Sequence, residues 1–181
     1  MTNKHEIIVS ENLVPDKDDL IKLFSEKWIG NYLELKQFFK KFNIFCTSDV
    51  NVLKPYSKDW SNIKGSANLL VQPKNTIECA LVLKTCYISN ILLTVSAGRT
   101  NLTGSATPMG GIILSTNNLT TPKVQINSPK KEALCPVGIT LETMRNEILK
   151  LSKNNLYYPV DPTSRKDAFI GGTISCNASG F

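Results

Sequence analysis

Residues 95–108 read Val-Ser-Ala-Gly-Arg-Thr-Asn-Leu-Thr-Gly-Ser-Ala-Thr-Pro, and most of their side chains are small. They follow an apolar run at 91–95 whose β-branched content predicts a buried strand. Small residues at this density form either a flexible loop or a nest in which backbone N–H groups surround an anion. A second stretch of this kind, Ile-Gly-Gly-Thr-Ile-Ser-Cys-Asn-Ala-Ser-Gly, occupies residues 170–180. We expect the two stretches to line one binding site.

The composition is that of an ordinary globular protein and excludes several classes. The 181 residues are 41% hydrophobic and 20% charged, with a net charge of +6. The lysines are scattered rather than interleaved with aromatics, so only the net charge favours nucleic acid, and we expect no nucleic-acid partner. No run reaches the roughly 18 apolar residues of a membrane span, and the first 14 residues lack the apolar core of a secretory signal, which predicts a cytoplasmic protein.

The cysteines and histidine argue against disulfides and metal. Five cysteines form an odd number with no Cys-x-x-Cys pair, and several lie inside apolar runs, as is typical of buried thiols in a reducing compartment. The one histidine is His5, so no cluster of zinc ligands is present in the sequence.

The order of elements predicts a helical leader followed by a β-α-β unit and a second group of strands and helices. Asn31 and Glu34 form a capping-box-like start for a helix with an aromatic stripe. Strands at 69–71 and 91–95 flank a helix that is capped by Asn75, has Ile77, Ala80, Leu81 and Lys84 on one face, and ends at Asn90 in the left-handed region. Such a unit is expected to be parallel with a right-handed crossover. A helix over 140–151 is expected to start at Thr140 and to bury Leu141, Met144, Ile148 and Leu151. The other expected elements are a loose arm over 1–15, a helix over 16–28, strands at 112–115, 124–126 and 133–137, and an extended segment at 157–162.

Residues 95–108 lack the established phosphate-loop signatures. A Rossmann fingerprint would lead directly into a helix, and a Walker A loop would contain Gly-Lys-Ser/Thr. This loop leads instead to Pro108, a glycine pair and a strand, with hydroxyls from Thr100, Thr103 and Ser105 as possible donors. On the residues alone, phosphate binding and a plain surface loop are both open.

Several motifs, taken together and in order, resemble the FAD-binding PCMH-type domain of the vanillyl-alcohol oxidase flavoproteins, within that group most closely the D-lactate, glycolate and D-2-hydroxyglutarate dehydrogenases. The resemblance covers about residues 50–181. The matching segments are Tyr-Ser-Lys-Asp-Trp at 56–60, Pro73 with Glu78, residues 97–108, Val-Gly-Ile-Thr at 137–140, Asp-Pro-Thr-Ser at 161–164, and Ile-Gly-Gly-Thr with Asn-Ala-Ser-Gly at 170–180.

The resemblance implies FAD as the cofactor and assigns roles to the matching residues. Backbone N–H groups of 98–102, with those of Gly104 and Ser105, would hold the pyrophosphate. Residues of 162–177 would line the flavin and ribityl chain, and Gly138 would pass close to the adenosine half. The implied cofactor-binding residues are Ala97, Gly98, Arg99, Thr100, Asn101, Leu102, Gly104, Ser105, Pro108, Gly138, Asp161, Pro162, Ser164, Gly171, Gly172, Thr173, Asn177 and Gly180.

Three departures from the family pattern carry further expectations. Ala97 and Arg99 replace usual glycines; a positive φ at Ala97 would be strained, and the Arg99 guanidinium would pair with phosphate. Relatives that hold FAD covalently use a histidine near this loop, so non-covalent FAD is expected here. The family continues beyond residue 181 into a substrate domain, which implies an N-terminal fragment without catalytic residues or metal ligands.

The implied fold class is α+β: a PCMH-type FAD-binding fold with the first, β-α-β-containing lobe complete and the second partial. Residues 1–50 are expected to form the arm and helical leader, and residues 51–181 the FAD-binding domain. The implied function is the FAD-binding portion of an oxidoreductase that oxidises a 2-hydroxy acid by hydride transfer to flavin, once a downstream domain completes it. A reductase of the same fold acting on UDP-N-acetylenolpyruvoylglucosamine, a non-catalytic partner-binding remnant, and a basic nucleic-acid binder remain the alternatives.

Overall fold

The structure, a computed structural model, describes residues 31–179. The helix expected over 16–28 and the site residue Gly180 lie outside these residues. The described chain mixes helices with two small sheets, in agreement with the α+β prediction. No helix within this range is long and apolar enough to cross a membrane.

The larger sheet has four strands in the order β1-β2-β4-β3. The outer strand β1 runs antiparallel to β2, whereas β2 and β3 both pair parallel with β4. The strands expected at 69–71 and 91–95 are therefore parallel, as predicted, with β4 inserted between them. The strands are β1 (Phe45–Thr47), β2 (Leu69–Gln72), β3 (Leu93–Ser96) and β4 (Ile112–Ser115).

Two helices cover one face of this sheet. Helix α1 (Tyr32–Lys41) begins at Asn31, whose side chain accepts hydrogen bonds from the N–H groups of Leu33 and Glu34, as the sequence predicted. Helix α2 (Thr76–Ile88) follows the same rule at Asn75. Their apolar side chains form one core with alternate residues of the strands. Its buried members are Leu35, Phe38, Phe39, Ile44, Cys46, Leu69, Val71, Leu81, Val82, Cys86, Ile112 and Leu114.

The buried face of α2 differs from the expected one. Its buried residues are Leu81, Val82, Thr85 and Cys86, whereas the predicted face was Ile77, Ala80, Leu81 and Lys84. This helix is apolar nearly all round, so periodicity does not single out the side that meets the sheet. The chain leaves the helix through Asn90 at φ 51, the left-handed position predicted for it.

The opposite face of the sheet is covered by a segment whose sequence shows few periodic signals. A short helix, Val50–Leu53, runs into a 3-10 turn, Lys54–Tyr56. Tyr56 packs against Leu70 and Ile113, whose side chains point away from the main core because successive residues of a strand face opposite sides.

The remaining elements form a second, smaller unit. A hairpin of β5 (Gln125–Asn127) and β6 (Glu132–Leu134) precedes helix α4 (Leu141–Leu151) and helix α5 (Ile170–Ser175). The label α3 is kept for the short helix Val50–Leu53 described above. Thr140 caps α4 as predicted, accepting from the N–H of Thr143. Leu151, expected on the buried face of α4, is 44% exposed.

Two expectations for this unit were wrong in extent or kind. The strand predicted over 133–137 ends at Leu134, close before Pro136, which lacks the N–H needed to continue the ladder. The small-residue run from Ile170 is a helix up to Ser175 rather than an irregular segment. Glycine disfavours helix intrinsically, so tertiary contacts override propensity there.

Candidate cofactor site

The first small-residue run leaves the sheet at its carboxyl edge. Ser96, the last residue of β3, pairs with Ser115, the last residue of the parallel strand β4. The loop from residue 97 and the turn from residue 116 therefore start side by side. In open sheets with parallel strands, ligands bind beyond the carboxyl ends of the strands.

The two small-residue runs meet at this edge. A Cβ atom built on Gly98 would lie 2.1 Å from the carbonyl oxygen of Asp167. One built on Gly172 would lie 3.3 Å from the Cβ of Ala97. Gly98 thus allows backbone to approach backbone more closely than any other residue would, whereas the neighbour of Gly172 is the methyl group of Ala97. The expected juxtaposition of the two runs is present between their opening residues.

A third segment, 137–139, joins the same junction. A Cβ on Gly138 would lie 2.2 Å from the carbonyl oxygen of Thr116, and one on Gly171 would lie 2.7 Å from the Cβ of Val137. Backbone hydrogen bonds run from Gly138 N to the Leu119 carbonyl (2.9 Å) and from Gly171 N to the Val137 carbonyl (3.2 Å). The second unit is therefore fixed against the carboxyl edge by backbone contacts at glycines.

The backbone of the first loop has free donors and two left-handed residues. The φ angles of Arg99 and Gly104 are 55° and 77°. Ala97 does not adopt a positive φ, so the strain anticipated there falls on Arg99 instead. Within the described chain, the backbone N–H groups of residues 99–105 donate to no acceptor. A run of unpaired N–H groups interrupted by left-handed residues is the arrangement of an anion-binding nest.

A buried carboxylate lies beneath this loop. Asp59 is 4% exposed, and its Oδ2 accepts from Asn101 Nδ2 (2.6 Å) and from the Ala106 N–H (3.3 Å). Its Oδ1 accepts from the Ser61 N–H (2.9 Å). Burial alone would raise the pKa of Asp59, but the hydrogen bonds from Ser61, Asn101 and Ala106 together hold the pKa below its usual value.

Arg99 and Tyr56 form a cation–π pair. The guanidinium carbon of Arg99 lies 4.4 Å from the centroid of the Tyr56 ring. The Tyr56 hydroxyl lies 3.4 Å from Ser115 Oγ and accepts from Gln72 Nε2 (3.2 Å). Arg99 is thus held over the sheet edge with its charge unpaired by any described carboxylate.

Two buried polar atoms at the same edge lack a partner within the described range. These are Ser96 Oγ, at the end of β3, and Asn117 Oδ1, two residues beyond β4. Buried polar atoms are rarely left unpaired, and their presence beside free N–H groups is what a site for a polar ligand would show. A dinucleotide such as FAD, with its diphosphate, ribose hydroxyls and adenine, fits this combination of donors, cation and unpaired hydroxyl and carbonyl groups.

The remaining predicted residues have structural contacts of their own. Asp161 forms ion pairs with Arg145 and Arg165, and its pKa, which desolvation would raise, is lowered by these arginines. The carbonyls of Pro162 and Ser164 accept backbone hydrogen bonds from Arg165 and from residues 167–168. These contacts build the turn that brings Asp167 to Gly98.

Two of the hydroxyl groups expected at the site donate within the protein. Thr103 Oγ1 donates to Ser105 Oγ (3.2 Å), and Thr173 Oγ1 donates to the Phe169 carbonyl (3.0 Å). Leu102 is 73% exposed, and the carbonyl of Pro108 accepts from Ser66 N. Asn177 follows α5 with a φ of 47°. The backbone donors of the loop, rather than these hydroxyls, are the groups that remain free.

The Tyr-x-x-Asp-Trp motif at 56–60 is visible in the sequence, but no role was predicted for its residues. Asp59 and Tyr56 turn out to hold the loop and Arg99, respectively. The signal available in the sequence was an aspartate beside a tryptophan inside a polar segment that matches the family motif. Ser96 and Asn117 carried no signal of their own, since their importance comes from the pairing of β3 with β4.

A half-open apolar cavity of about 660 Å³ lies in the second unit, between the β5–β6 hairpin and helices α4 and α5. Met144, Ile148 and Tyr158 line it, and no residue of the 97–108 loop does. It is therefore separate from the loop that the sequence singled out. No cluster of three metal-ligating side chains occurs in the described residues.

Comparison with known proteins identifies the class. The family described as "FAD binding domain" matches residues 67–181. The chain belongs to this family of FAD-binding domains, and its fold is the PCMH-type FAD-binding fold.

Individual relatives narrow the class to particular oxidoreductases. The chain is 25% identical over 135 residues to the mitochondrial D-2-hydroxyglutarate dehydrogenase of Bos taurus, covering 74% of this chain and 24% of the relative. It is 30% identical over 113 residues to the D-lactate dehydrogenase of Archaeoglobus fulgidus, covering 62% of this chain and 24% of the relative. The chain is thus an FAD-binding domain related to D-2-hydroxyglutarate and D-lactate dehydrogenases.

A solved structure agrees on the fold. Alkyldihydroxyacetonephosphate synthase superposes with a TM-score of 0.65 at 13% identity, covering 92% of this chain and 30% of that one. The chain spans about a quarter of the length of the curated relatives it matches. The cytoplasmic location, the boundary at residue 50 and the individual FAD-contacting residues stay predictions.

Proposed function

We propose that this chain supplies the pyrophosphate-binding part of an FAD site in an oxidoreductase that oxidises a 2-hydroxy acid. The observation that carries the proposal is the junction of the two small-residue runs at the carboxyl edge of the sheet. There the free N–H groups of residues 99–105 lie in a loop held against the second unit through Gly98 and Gly172.

The chemistry of the loop suits a diphosphate. Two phosphates carry negative charge and many acceptor oxygens, and unpaired backbone N–H groups offer donors without the bulk of side chains. Arg99 adds a cation whose guanidinium is free to form bidentate hydrogen bonds with a phosphate. The unpaired Ser96 hydroxyl and Asn117 carbonyl would take polar groups of the same ligand.

The substrate class comes from the relatives and belongs to the proposal. FAD, when bound, would supply a hydride acceptor for a substrate carbon that bears a hydroxyl group. Such an oxidation would also need a base for the hydroxyl proton and a cation for the substrate carboxylate. We assign neither role to a residue of this chain.

A binding measurement tests the cofactor assignment directly. The purified chain is incubated with FAD, passed through a desalting column, and scanned for the visible absorption of protein-bound oxidised flavin; titration then gives Kd. We expect FAD to bind more tightly than riboflavin, because only FAD carries the diphosphate. Equal affinity for the two ligands, or no binding of either, would contradict the proposal and favour the non-catalytic alternative.

The non-covalent character of the flavin is tested on the same sample. Acid precipitation of the FAD complex is expected to leave all yellow colour in the supernatant, because no histidine follows His5 in the chain. Colour that remains with the pellet after washing would show a covalent bond to another side chain.

A further inference from the structure

The carboxylate of Asp59 is the point from which the first loop is held. It lies beneath the loop at 4% exposure, and two of its three hydrogen-bond donors, Asn101 and Ala106, belong to the loop. These donors are more than 40 residues away in sequence. The contact is therefore a tertiary one, fixed by the fold rather than by local turn geometry.

Asn101 extends this contact across the loop. Its Nδ2 lies within hydrogen-bond distance of Asp59 Oδ2 (2.6 Å), Ser105 Oγ (2.9 Å) and Thr103 Oγ1 (3.3 Å). The segment tied together in this way, residues 101–105, includes Gly104, which has a positive φ, and begins two residues after Arg99, which also has one. Left-handed backbone at a non-glycine residue is unfavourable by itself, so neighbouring contacts must maintain it.

Because Asp59 is negatively charged, an affinity measurement can distinguish repulsion of a bound anion from positioning of the loop. A carboxylate beneath an anion site repels the anion, and by electrostatics alone its removal would strengthen binding. Hydrogen bonds to a buried carboxylate, in contrast, are strong and would keep the loop in one conformation before the ligand arrives. The two effects on affinity have opposite signs.

We propose that Asp59 is a positioning residue for the anion-binding loop, acting through Asn101 and Ala106 to hold the backbone N–H groups of residues 99–105 in their binding conformation. This inference rests on the proposed FAD function for its effect on affinity. Its effect on the conformation of the loop is independent of FAD.

The first experiment measures FAD affinity in Asp59→Asn, Asn101→Ala and the double variant. Asp59→Asn replaces one carboxylate oxygen by an NH₂ group and removes the negative charge, which weakens the hydrogen bonds that Asn101 and Ala106 donate to this side chain. We therefore expect the Kd for FAD to rise about tenfold or more. The double variant should weaken binding by less than the product of the two single effects, because both single variants disturb the Asp59–Asn101 hydrogen bond. Asp49→Asn is the matched control, since Asp49 is an exposed carboxylate that only caps α3 through Asn51.

The second experiment needs no ligand. Trypsin cleavage after Arg99 is followed by mass spectrometry relative to cleavage after Lys153, which lies in an exposed turn outside the site. Asp59→Asn should raise this ratio about tenfold, whereas Asp49→Asn should not change it. Because global unfolding would also expose the bond after Arg99, the ratio is compared under conditions in which urea unfolding shows that the wild type and both variants are folded.

The outcomes separate this inference from the proposed function. Tighter or unchanged FAD binding in Asp59→Asn, or an unchanged cleavage ratio, overturns the positioning role even if the wild type binds FAD. If the wild type binds no FAD but the ratio rises in Asp59→Asn, the loop is held by Asp59 and the proposed function is what fails.

Discussion

Gly98→Ala tests whether the first small-residue run needs direct backbone contact with the segment that leads into the second run. The new methyl group would lie 2.1 Å from the carbonyl oxygen of Asp167 and 3.0 Å from the Cα of Ala168. Ordinary contact begins near 3.4 Å, so the segments must separate by about 1.3 Å (3.4 − 2.1). Neither obstacle is a flexible side chain that could turn away.

The expected loss of stability follows from that displacement. Insertion of a methyl group into a packed site usually costs about 1–3 kcal/mol, and contact with backbone places this site at the upper end. For a chain of this size each kcal/mol lowers Tm by about 2–4 °C. Urea unfolding with and without FAD should show the loss in the free protein and a weaker stabilisation by FAD, because the displaced loop no longer faces the second unit in its binding conformation.

Gly172→Ala is the matched control for this substitution. Its methyl group would meet only the Cβ of Ala97, at 3.3 Å, and alanine favours the helix that contains it by about 0.5–1 kcal/mol over glycine. We expect stability equal to or slightly above that of the wild type. If Gly98→Ala unfolds at the same urea concentration as Gly172→Ala, the close approach of the runs is not a requirement of the fold and the site geometry derived from it is wrong.

Two further predictions concern charged residues at the site. Arg99→Gly should keep or slightly raise stability, because the gain from relieving the φ of 55° offsets the lost stacking on Tyr56. The same variant should weaken FAD binding by about tenfold, because a cation beside the phosphates is removed. Arg99→Lys keeps the positive charge and is the control; unchanged or tighter binding in Arg99→Gly argues against a phosphate role. Hydrogen bonds keep the pKa of Asp59 below 3.8, despite the opposing effect of burial, so the unfolded chain takes up this proton first as the pH falls. The stability from Asp59 is then fully present above about pH 5 and is lost as the pH falls through the folded-state pKa. The difference in unfolding free energy between wild type and Asp59→Asn should begin to shrink below about pH 5 and vanish only below the folded-state pKa, and a difference that does not change with pH would contradict this.

The elements that the sequence predicted well are those governed by local rules. Asn31, Asn75 and Thr140 each cap a helix through their own side chains, and Asn90 ends one in the left-handed region. Such interactions span three or four residues and leave a direct trace in the sequence. The strand at 112–115, an uninterrupted apolar run, is equally evident because it is buried throughout.

The errors have a common physical cause, which is that tertiary contacts decided the outcome. Periodicity could not choose the buried side of α2, since both sides are apolar. The helix from Ile170 forms despite its glycine pair, because Ile170 N donates to the Ile139 carbonyl (3.0 Å) and Gly171 N to the Val137 carbonyl (3.2 Å). The role of Asp59 depends on residues more than 40 positions away, which no local pattern reveals.

The small side chains of the two runs serve different physical needs, and this distinction explains which departures from the family pattern the chain accepts. At Gly98 and Gly138 the space beyond the Cα is filled by a backbone carbonyl, so no side chain fits. At position 99 the requirement is a left-handed backbone with open space, which an arginine meets at a modest conformational cost. At position 97 alanine fits because its methyl group lies beside Gly172, where even an added Cβ would be 3.3 Å away. The substitutions at 97 and 99 thus preserve the close backbone approach on which the site depends, and the arginine adds a positive charge beside the free N–H groups.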